Sequence, residues 1–105
     1  MSRRRQAPAV VAFGGGHGLY AALSALRYVT PNLTAVVTVA DDGGSSGRLR
    51  AEFDMLPPGD LRMALAALCA DDDLGRTWAD VLQSRFGGDG PLAGHAIGNL
   101  LIAGL

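Results

Sequence analysis

The sequence predicts an α/β fold that opens with a parallel βαβ unit and continues with several helices. Two apolar runs, residues 9–13 and 33–40, consist largely of the small and β-branched residues that suit buried parallel strands. Each run leads into a glycine-rich segment, and a stretch with leucines at helical spacing lies between the two runs. In a sheet built from such units, ligands bind at the carboxyl ends of the strands.

Length and composition predict one small globular domain in the cytoplasm. The chain has 105 residues, of which 49% are hydrophobic and 18% are charged, so it can bury a single core. A net charge of −1 argues against a general nucleic-acid surface, and a lone cysteine excludes a disulfide framework or a cysteine-based metal cluster. No run suits a membrane span or a signal peptide. Residues 1–8, with three consecutive arginines, are predicted to form a flexible basic tail.

The first strand ends in a glycine-rich loop that comprises Gly14, Gly15, Gly16, His17 and Gly18. Leu19, Leu23 and Leu26 then recur at helical spacing, which places the loop at a helix N-terminus, where phosphates commonly bind. The loop is not the dinucleotide fingerprint, because the third glycine of that motif would fall on Leu19, and no P-loop lysine follows. The position of this loop between a strand and a helix favours contact with a phosphate. For His17 two alternatives stay open: its side chain either reaches a ligand or faces water.

The second strand ends in a segment that combines carboxylates, glycines and hydroxyls, namely Asp41, Asp42, Gly43, Gly44, Ser45 and Ser46. The glycines let a ligand approach the backbone closely, and the serines provide short donors. Asp41 and Asp42 can bind a hard cation or accept hydrogen bonds from sugar hydroxyls. The alternative is a solvated turn in which Ser46 caps a helix. The position directly after a buried strand favours the binding site.

A short helix over residues 48–53 and a proline-containing break precede a predicted helix over residues 61–70. The expected core stripe of that helix consists of Leu61, Ala64, Leu65 and Leu68. Arg62 lies beside this stripe, and a buried arginine needs an anionic partner. Asp60 at the helix start and a ligand phosphate are equally suitable partners on the sequence alone.

The three aspartates at residues 71–73 suit a helix end or cap better than a cation site, because adjacent side chains cannot all face one ion. Thr77 and Asp80 resemble a capping box at the start of the following helix. The buried face of that helix is expected to carry Trp78, Val81, Leu82 and Phe86.

The last segment, residues 94–105, is apolar on almost every side and contains His95, Gly98 and Asn99. A buried asparagine must form hydrogen bonds, so Asn99 is either satisfied by backbone at a helix–helix contact or directed into the ligand crevice. A helix of this character needs more packing partners than the chain offers. Residues 9–105 are therefore predicted to be the N-terminal part of a longer nucleotide-binding domain.

Four motifs in this order resemble the CofD/YvcK family: GGGHG at 14–18, DDGGSSGRLR at 41–50, LPPGDLR at 56–62 and GHAIGNLL at 94–101. The similarity runs from about residue 10 to residue 105 and is strongest to the gluconeogenesis-factor branch. The family joins 2-phospho-L-lactate transferases of deazaflavin coenzyme synthesis to gluconeogenesis factors of bacterial cell-shape and cell-wall control. The resemblance implies a modified Rossmann-like fold.

The gluconeogenesis-factor branch implies a cytosolic regulator that binds a nucleotide sugar such as UDP-N-acetylglucosamine, with no cofactor required. The other branch implies a transferase that passes phospholactate from a guanosine-diphospho donor to a deazaflavin precursor, with Mg²⁺ near the aspartates and Asp41 as its ligand. Because the glycine loop lacks the dinucleotide fingerprint, an NAD-dependent enzyme is disfavoured. Homo-oligomerisation of the full-length protein stays open. The expected ligand-binding residues are Gly14, Gly15, Gly16, His17, Gly18, Asp41, Asp42, Gly43, Gly44, Ser45, Ser46, Asp60, Arg62, His95 and Asn99.

Overall fold

The computed structural model describes residues 7–40 and 43–105, and within these ranges it confirms an α/β fold with a parallel start followed by helices. Residues 1–6 of the predicted basic tail, and both Asp41 and Asp42, lie outside the described residues. None of the helices in the described ranges has the length and apolar character needed to cross a membrane. The elements are β1 (Val10–Gly14), α1 (Gly16–Leu26), β2 (Leu33–Val37), α2 (Gly44–Glu52), α3 (Gly59–Leu68), α4 (Asp73–Gln83) and α5 (Ile97–Gly104).

The two strands pair in parallel, with Val10 opposite Leu33 and Gly14 opposite Val37. The backbone N–H of Thr38 donates to the carbonyl oxygen of Gly14 at 2.7 Å, directly beyond the last paired residues. Both strands therefore end at the same edge, and both glycine-rich segments begin there. The predicted second strand was three residues too long, because the ordered pairing stops at Val37.

The core lies between one face of this sheet and helices α1 and α3. Leu19 and Leu23 of α1 pack against Ala64 and Ala67 of α3 and against alternate strand residues. This confirms the predicted role of the α1 leucines, because residues at i and i+4 share one helix face.

The predicted core stripe of α3 was wrong for its three leucines. Leu61, Leu65 and Leu68 are 36%, 43% and 40% exposed, whereas the alanines of α3 at 64, 66 and 67 are buried. Small side chains allow α3 to approach α1 closely, and this close contact turns the alanine face inward. Hydrophobicity alone favoured the larger leucines, which point away from the core.

The second face of the sheet is uncovered within the described residues. Val11, Phe13 and Val36 are 53%, 76% and 44% exposed, and they alternate along the strands with residues that face the core. Within the described residues, the expectation of a buried second strand therefore holds for one face of the sheet, the face that α1 and α3 cover.

Helix α4 starts earlier than predicted and carries its aromatic residue outward. Asp72 is its N-cap and accepts a hydrogen bond from the backbone N–H of Gly75 at 2.7 Å, which confirms the capping role of the aspartates. Thr77 lies inside the helix, so the predicted capping box with Asp80 was wrong. Trp78 is 50% exposed and is not a core residue.

Helix α5 packs closely on α4 and α3 through Gly98. A Cβ atom at this position would lie 2.6 Å from the carbonyl oxygen of Leu82 and 2.7 Å from Cγ of Arg62. The backbone N–H of Ile97 also donates to the carbonyl oxygen of Ser84 at 2.8 Å. These contacts hold the start of α5 against the two preceding helices, as a helix–helix contact through Gly98 predicts.

We expect Gly98→Ala to lower the free energy of unfolding by about 1–3 kcal/mol, because the added methyl group meets a backbone carbonyl that cannot move freely. Urea denaturation of the purified protein measures this change. Gly18→Ala is the matched control, since no atom lies within 4 Å of its Cβ position. The control should gain about 0.4–1 kcal/mol through reduced freedom of the unfolded chain. A Gly98→Ala protein as stable as wild type would refute the close packing.

Candidate functional site

Asp60 connects the two glycine-rich segments at the carboxyl edge of the sheet. Its Oδ2 accepts a hydrogen bond from the backbone N–H of Ala40 at 3.2 Å, at the end of the second strand region. On its other side, a Cβ at Gly15 would lie 3.2 Å from the Asp60 Cγ and 2.8 Å from the carbonyl oxygen of Thr38. Only glycine fits at position 15 without displacing these groups. Asp60 is 8% exposed, so this contact is largely sealed from solvent.

The first glycine loop thus lies directly against the carboxylate of Asp60. Asp60 Oδ1 would lie 3.6 Å from a Cβ at Gly16, the first residue of α1. Asp60 is also the only acidic residue in the first turn of α3. A negative charge near two helix N-termini is favourable, because the unpaired N–H groups there carry partial positive charge.

The second glycine segment opens onto a cavity of about 220 Å³. Its lining residues come from the start of α2, the start of α3, the segment before α5 and α5 itself: Gly43, Gly44, Ser45, Ser46, Gly59, Arg62, Arg85 and Asn99. Gly43 is the N-cap of α2 in an extended conformation, and Gly44 has a φ of 51°, which favours glycine. Ser46 lies inside α2, so the predicted alternative of Ser46 as its cap was wrong.

Two arginines are among the described residues of the cavity wall, and none of those residues is acidic. Arg62 is 7% exposed, and Arg85 donates to the carbonyl oxygen of Gly94 at 2.8 Å. The start of α2 lines the same cavity, and the first N–H groups of a helix have no intrahelical acceptors. These described residues suit an anion.

Asn99 is the most deeply buried polar side chain of this wall. It is 1% exposed, and its Oδ1 has no hydrogen-bond partner among the described residues. A buried acceptor without a donor costs about 1–3 kcal/mol of stability. Of the two alternatives for Asn99, backbone does not satisfy this oxygen within the described residues, and Asn99 is among the residues that line the cavity.

Ser45 and His95 form a buried pair behind the cavity wall. The Ser45 Oγ lies 2.7 Å from His95 Nδ1 and accepts from the backbone N–H of Ala96 at 3.3 Å. The Ser45 hydroxyl donates to Nδ1 in one tautomer of the neutral ring and accepts from Nδ1–H in the other. Burial lowers the pKa of His95, and the positive charge of Arg48 lowers that pKa further.

His95 consequently supports the second glycine segment and is absent from the residues that line the cavity. His17 and Gly18, which the sequence also nominated, are exposed at the start of α1, away from the contacts of Asp60. Asp41 and Asp42 lie outside the described residues, so their predicted roles stay predictions. In the described ranges no three His, Cys, Asp or Glu side chains converge as a metal site, and Asp60 alone is not a ligand set for Mg²⁺.

Sequence reasoning missed two residues of the cavity, Gly59 and Arg85. Gly59 directly precedes the nominated Asp60 and could have been found from the LPPGDLR motif. Arg85 carries no local signal, because its place on the wall depends on the antiparallel bridge that it forms with Ala96.

A larger cavity of about 450 Å³ lies at the opposite end of the sheet, near the start of β2. Its charged residues already pair with one another: Arg27 lies 3.6 Å from Asp71 and also donates to the carbonyl oxygen of Cys69. Tyr28 donates to Asp71 at 2.8 Å, and this hydrogen bond is the main reason why the pKa of Asp71 is lowered. No described residue of either glycine-rich segment lines this cavity, so it is a poorer candidate than the smaller one, despite its volume.

A family model described as 2-phospho-L-lactate transferase CofD matches residues 10–105. A protein of Mycobacterium tuberculosis, provisionally named a gluconeogenesis factor, is 73% identical over 96 residues, covering 91% of this chain and 28% of the relative. The gluconeogenesis factor of Bacillus subtilis is 48% identical over 100 residues, covering 95% of this chain and 31% of the relative.

A crystal structure of a Bacillus halodurans protein matches with a TM-score of 0.80 and 51% identity over 91% of this chain and 30% of that chain. A second crystal structure, described as a member of the UPF0052 family, matches with a TM-score of 0.74 and 47% identity, over 90% of this chain and 30% of that chain. The chain therefore spans about three tenths of the length of the relatives that it matches.

We expect the free energy of unfolding to decrease as the pH falls below about 6.5, the ordinary pKa of histidine. The pKa of His95 is lowered in the folded state, so the unfolded chain takes up this proton first and is favoured as the pH falls. His95→Gln should show a smaller decrease between about pH 6.5 and pH 5, measured by urea denaturation. An identical pH dependence in the variant and wild type would contradict the buried neutral ring.

Proposed function

This chain belongs to the CofD family, and from that premise we propose that the full-length protein is a regulator that binds a nucleotide sugar such as UDP-N-acetylglucosamine. The gluconeogenesis factors among its relatives support the regulatory branch of the family. By this proposal the protein acts in the cytoplasm and reports the supply of cell-wall precursors. The proposed regulatory function requires ligand binding and no chemical step.

The observation that carries the proposal is the meeting of both glycine-rich segments at one edge of the parallel sheet. Asp60 contacts the first segment and the end of the second strand region, while Gly59 and Arg62 of the same motif line the cavity of the second segment. A crevice that offers helix N-termini, a carboxylate and two arginines can bind phosphates and hydroxyls of one ligand together. A nucleotide sugar carries both kinds of group.

The alternative function is transfer of phospholactate to a deazaflavin precursor, and the description of the family model favours it. Phosphoryl-type transfer requires a cation to neutralise charge that develops on the transferred group. Asp41 is the proposed ligand of that cation. The described residues alone do not provide a set of metal ligands, so they do not define a catalytic step.

Isothermal titration of the full-length protein separates the two functions. We expect UDP-N-acetylglucosamine to bind at least about tenfold more tightly than GDP, which corresponds to about 1.4 kcal/mol of binding free energy. The physical reason is that uracil and guanine differ in size and in hydrogen-bonding groups, so one crevice does not fit both equally. UMP serves as the control for the contribution of the sugar.

A preference for GDP, or measurable product from a guanosine-diphospho-lactate donor, a deazaflavin acceptor and Mg²⁺, would contradict the regulator and support the transferase. Binding of neither nucleotide would reject both.

We expect Asp41→Asn and Asp42→Asn to affect nucleotide-sugar binding unequally. The two residues follow a strand at the edge of the sheet where ligands bind, so we expect one carboxylate to face the ligand and the other solvent. Loss of the contacts of the sensitive carboxylate should weaken binding by about ten- to a hundredfold, because charge-assisted hydrogen bonds contribute about 1.5–3 kcal/mol each. Titration with and without Mg²⁺ distinguishes metal binding from hydroxyl contact, since only a cation site makes wild-type affinity depend on metal. Two silent variants would show that this segment is only a turn.

A further inference from the structure

The two helix N-termini at the crevice differ in what already faces them. The start of α1 faces the carboxylate of Asp60, whose Oδ1 would lie within 3.6 Å of a Cβ at either Gly15 or Gly16. The start of α2 opens onto the cavity that Arg62 and Arg85 line. Among the described residues, an anion at α1 would lie beside a carboxylate, whereas an anion at α2 would lie beside the guanidinium groups that line the cavity. The α2 terminus is therefore the better phosphate site of the two.

The size of the cavity limits which part of a ligand enters it. Pockets that enclose a whole small-molecule ligand usually measure about 300–1,000 Å³. The cavity at α2 measures about 220 Å³, which suits a phosphate group and the few atoms next to it. The remainder of a nucleotide-linked ligand must lie outside, along the edge of the sheet.

Asn99 provides an observation that is independent of the helix terminus and also indicates a ligand. Its side chain is almost fully buried, it lines the cavity, and Oδ1 has no donor among the described residues. An acceptor in this position requires a donor that the described protein does not supply. A phosphate has no proton to donate when fully ionised, but a hydroxyl or N–H group next to the phosphate can donate to Oδ1.

We infer that the N-terminus of α2, with Arg62 and Arg85, binds the phosphate of the ligand, and that Asn99 accepts a hydrogen bond from a hydroxyl or N–H group beside it. The chemical class is a phosphate ester of a sugar. The inference rests on the proposed function for the identity of the complete ligand. It assigns the phosphate to the second glycine segment, whereas the sequence alone favoured the first.

The first test compares two arginines that each donate to a backbone carbonyl. Arg85 donates to the carbonyl oxygen of Gly94 and lines the cavity. Arg76 donates to the carbonyl oxygen of Asp71, and it is not among the residues that line the cavity. We expect Arg85→Gln to raise the Kd for UDP-N-acetylglucosamine and for inorganic pyrophosphate by about tenfold in the full-length protein. Arg76→Gln should change either Kd by less than about twofold.

The second test separates a ligand contact from a structural role at Asn99. We expect Asn99→Leu to raise the Kd for UDP-N-acetylglucosamine by about tenfold and to leave the Kd for pyrophosphate nearly unchanged, since pyrophosphate has no sugar hydroxyl. The melting temperature should stay equal or increase, because the substitution removes a buried acceptor without a donor. A purely structural asparagine would instead lower the melting temperature and affect both ligands alike.

Asn99→Asp is the second variant if leucine does not fit. It retains the shape of the side chain but adds negative charge, so it should weaken binding of pyrophosphate by at least about tenfold. Unchanged affinity for pyrophosphate in a folded Asn99→Asp protein would overturn the inference.

The outcomes also distinguish this inference from the proposed function. If wild type binds UDP-N-acetylglucosamine and neither Arg85→Gln nor the Asn99 variants weaken it, the phosphate site is wrong and the function stands. If wild type binds only pyrophosphate, and Arg85→Gln weakens that binding, the phosphate site stands and the nucleotide-sugar function is wrong. Binding of neither probe would reject both.

Discussion

The position of the Asp60 carboxylate is the constraint on which the crevice depends. A carboxylate that is 8% exposed must be surrounded by donors or positive charge, and it receives the backbone N–H of Ala40 at one side. At its other side the chain must approach so closely that position 15 has no room for a side chain. One buried group thereby fixes the distance between the two strand ends and the start of α3. The geometry of the ligand crevice follows from this distance.

A second set of contacts joins the α2 segment to the end of the chain. Ser45 meets His95 and the N–H of Ala96, while Arg48 spans from the same helix to two carbonyl groups before His95. These partners lie more than 40 positions apart in the sequence. The wall of the cavity is consequently assembled from distant parts of the chain, and it can form only after α3, α4 and α5 have packed together. Close packing at Gly98 serves the same purpose, because it brings Asn99 to the wall.

Sequence reasoning succeeded where a residue type has one dominant physical use. The apolar runs, the glycine segments after them and the leucine spacing of α1 predicted the parallel unit and the edge at which candidate residues gather. It failed where two packing solutions compete, as in α3, where close approach selected alanine over leucine for the core. Trp78 was misplaced for a related reason, because hydrophobicity does not say which helix face has a partner. Arg85 could not be found at all, since its location depends on pairing with a distant segment.

The uncovered face of the two-stranded sheet has a consequence for how this part of the protein is made. The two parallel strands are separated in sequence by a whole helix, and pairing between such distant segments is slow and leaves apolar surface exposed during folding. In the described residues Val11, Phe13 and Val36 present an apolar strip to solvent. Exposed strips beside unpaired strand edges attract other chains during synthesis. Within the described residues, this strip is therefore the part of the sheet that is most open to association with other chains while the protein folds.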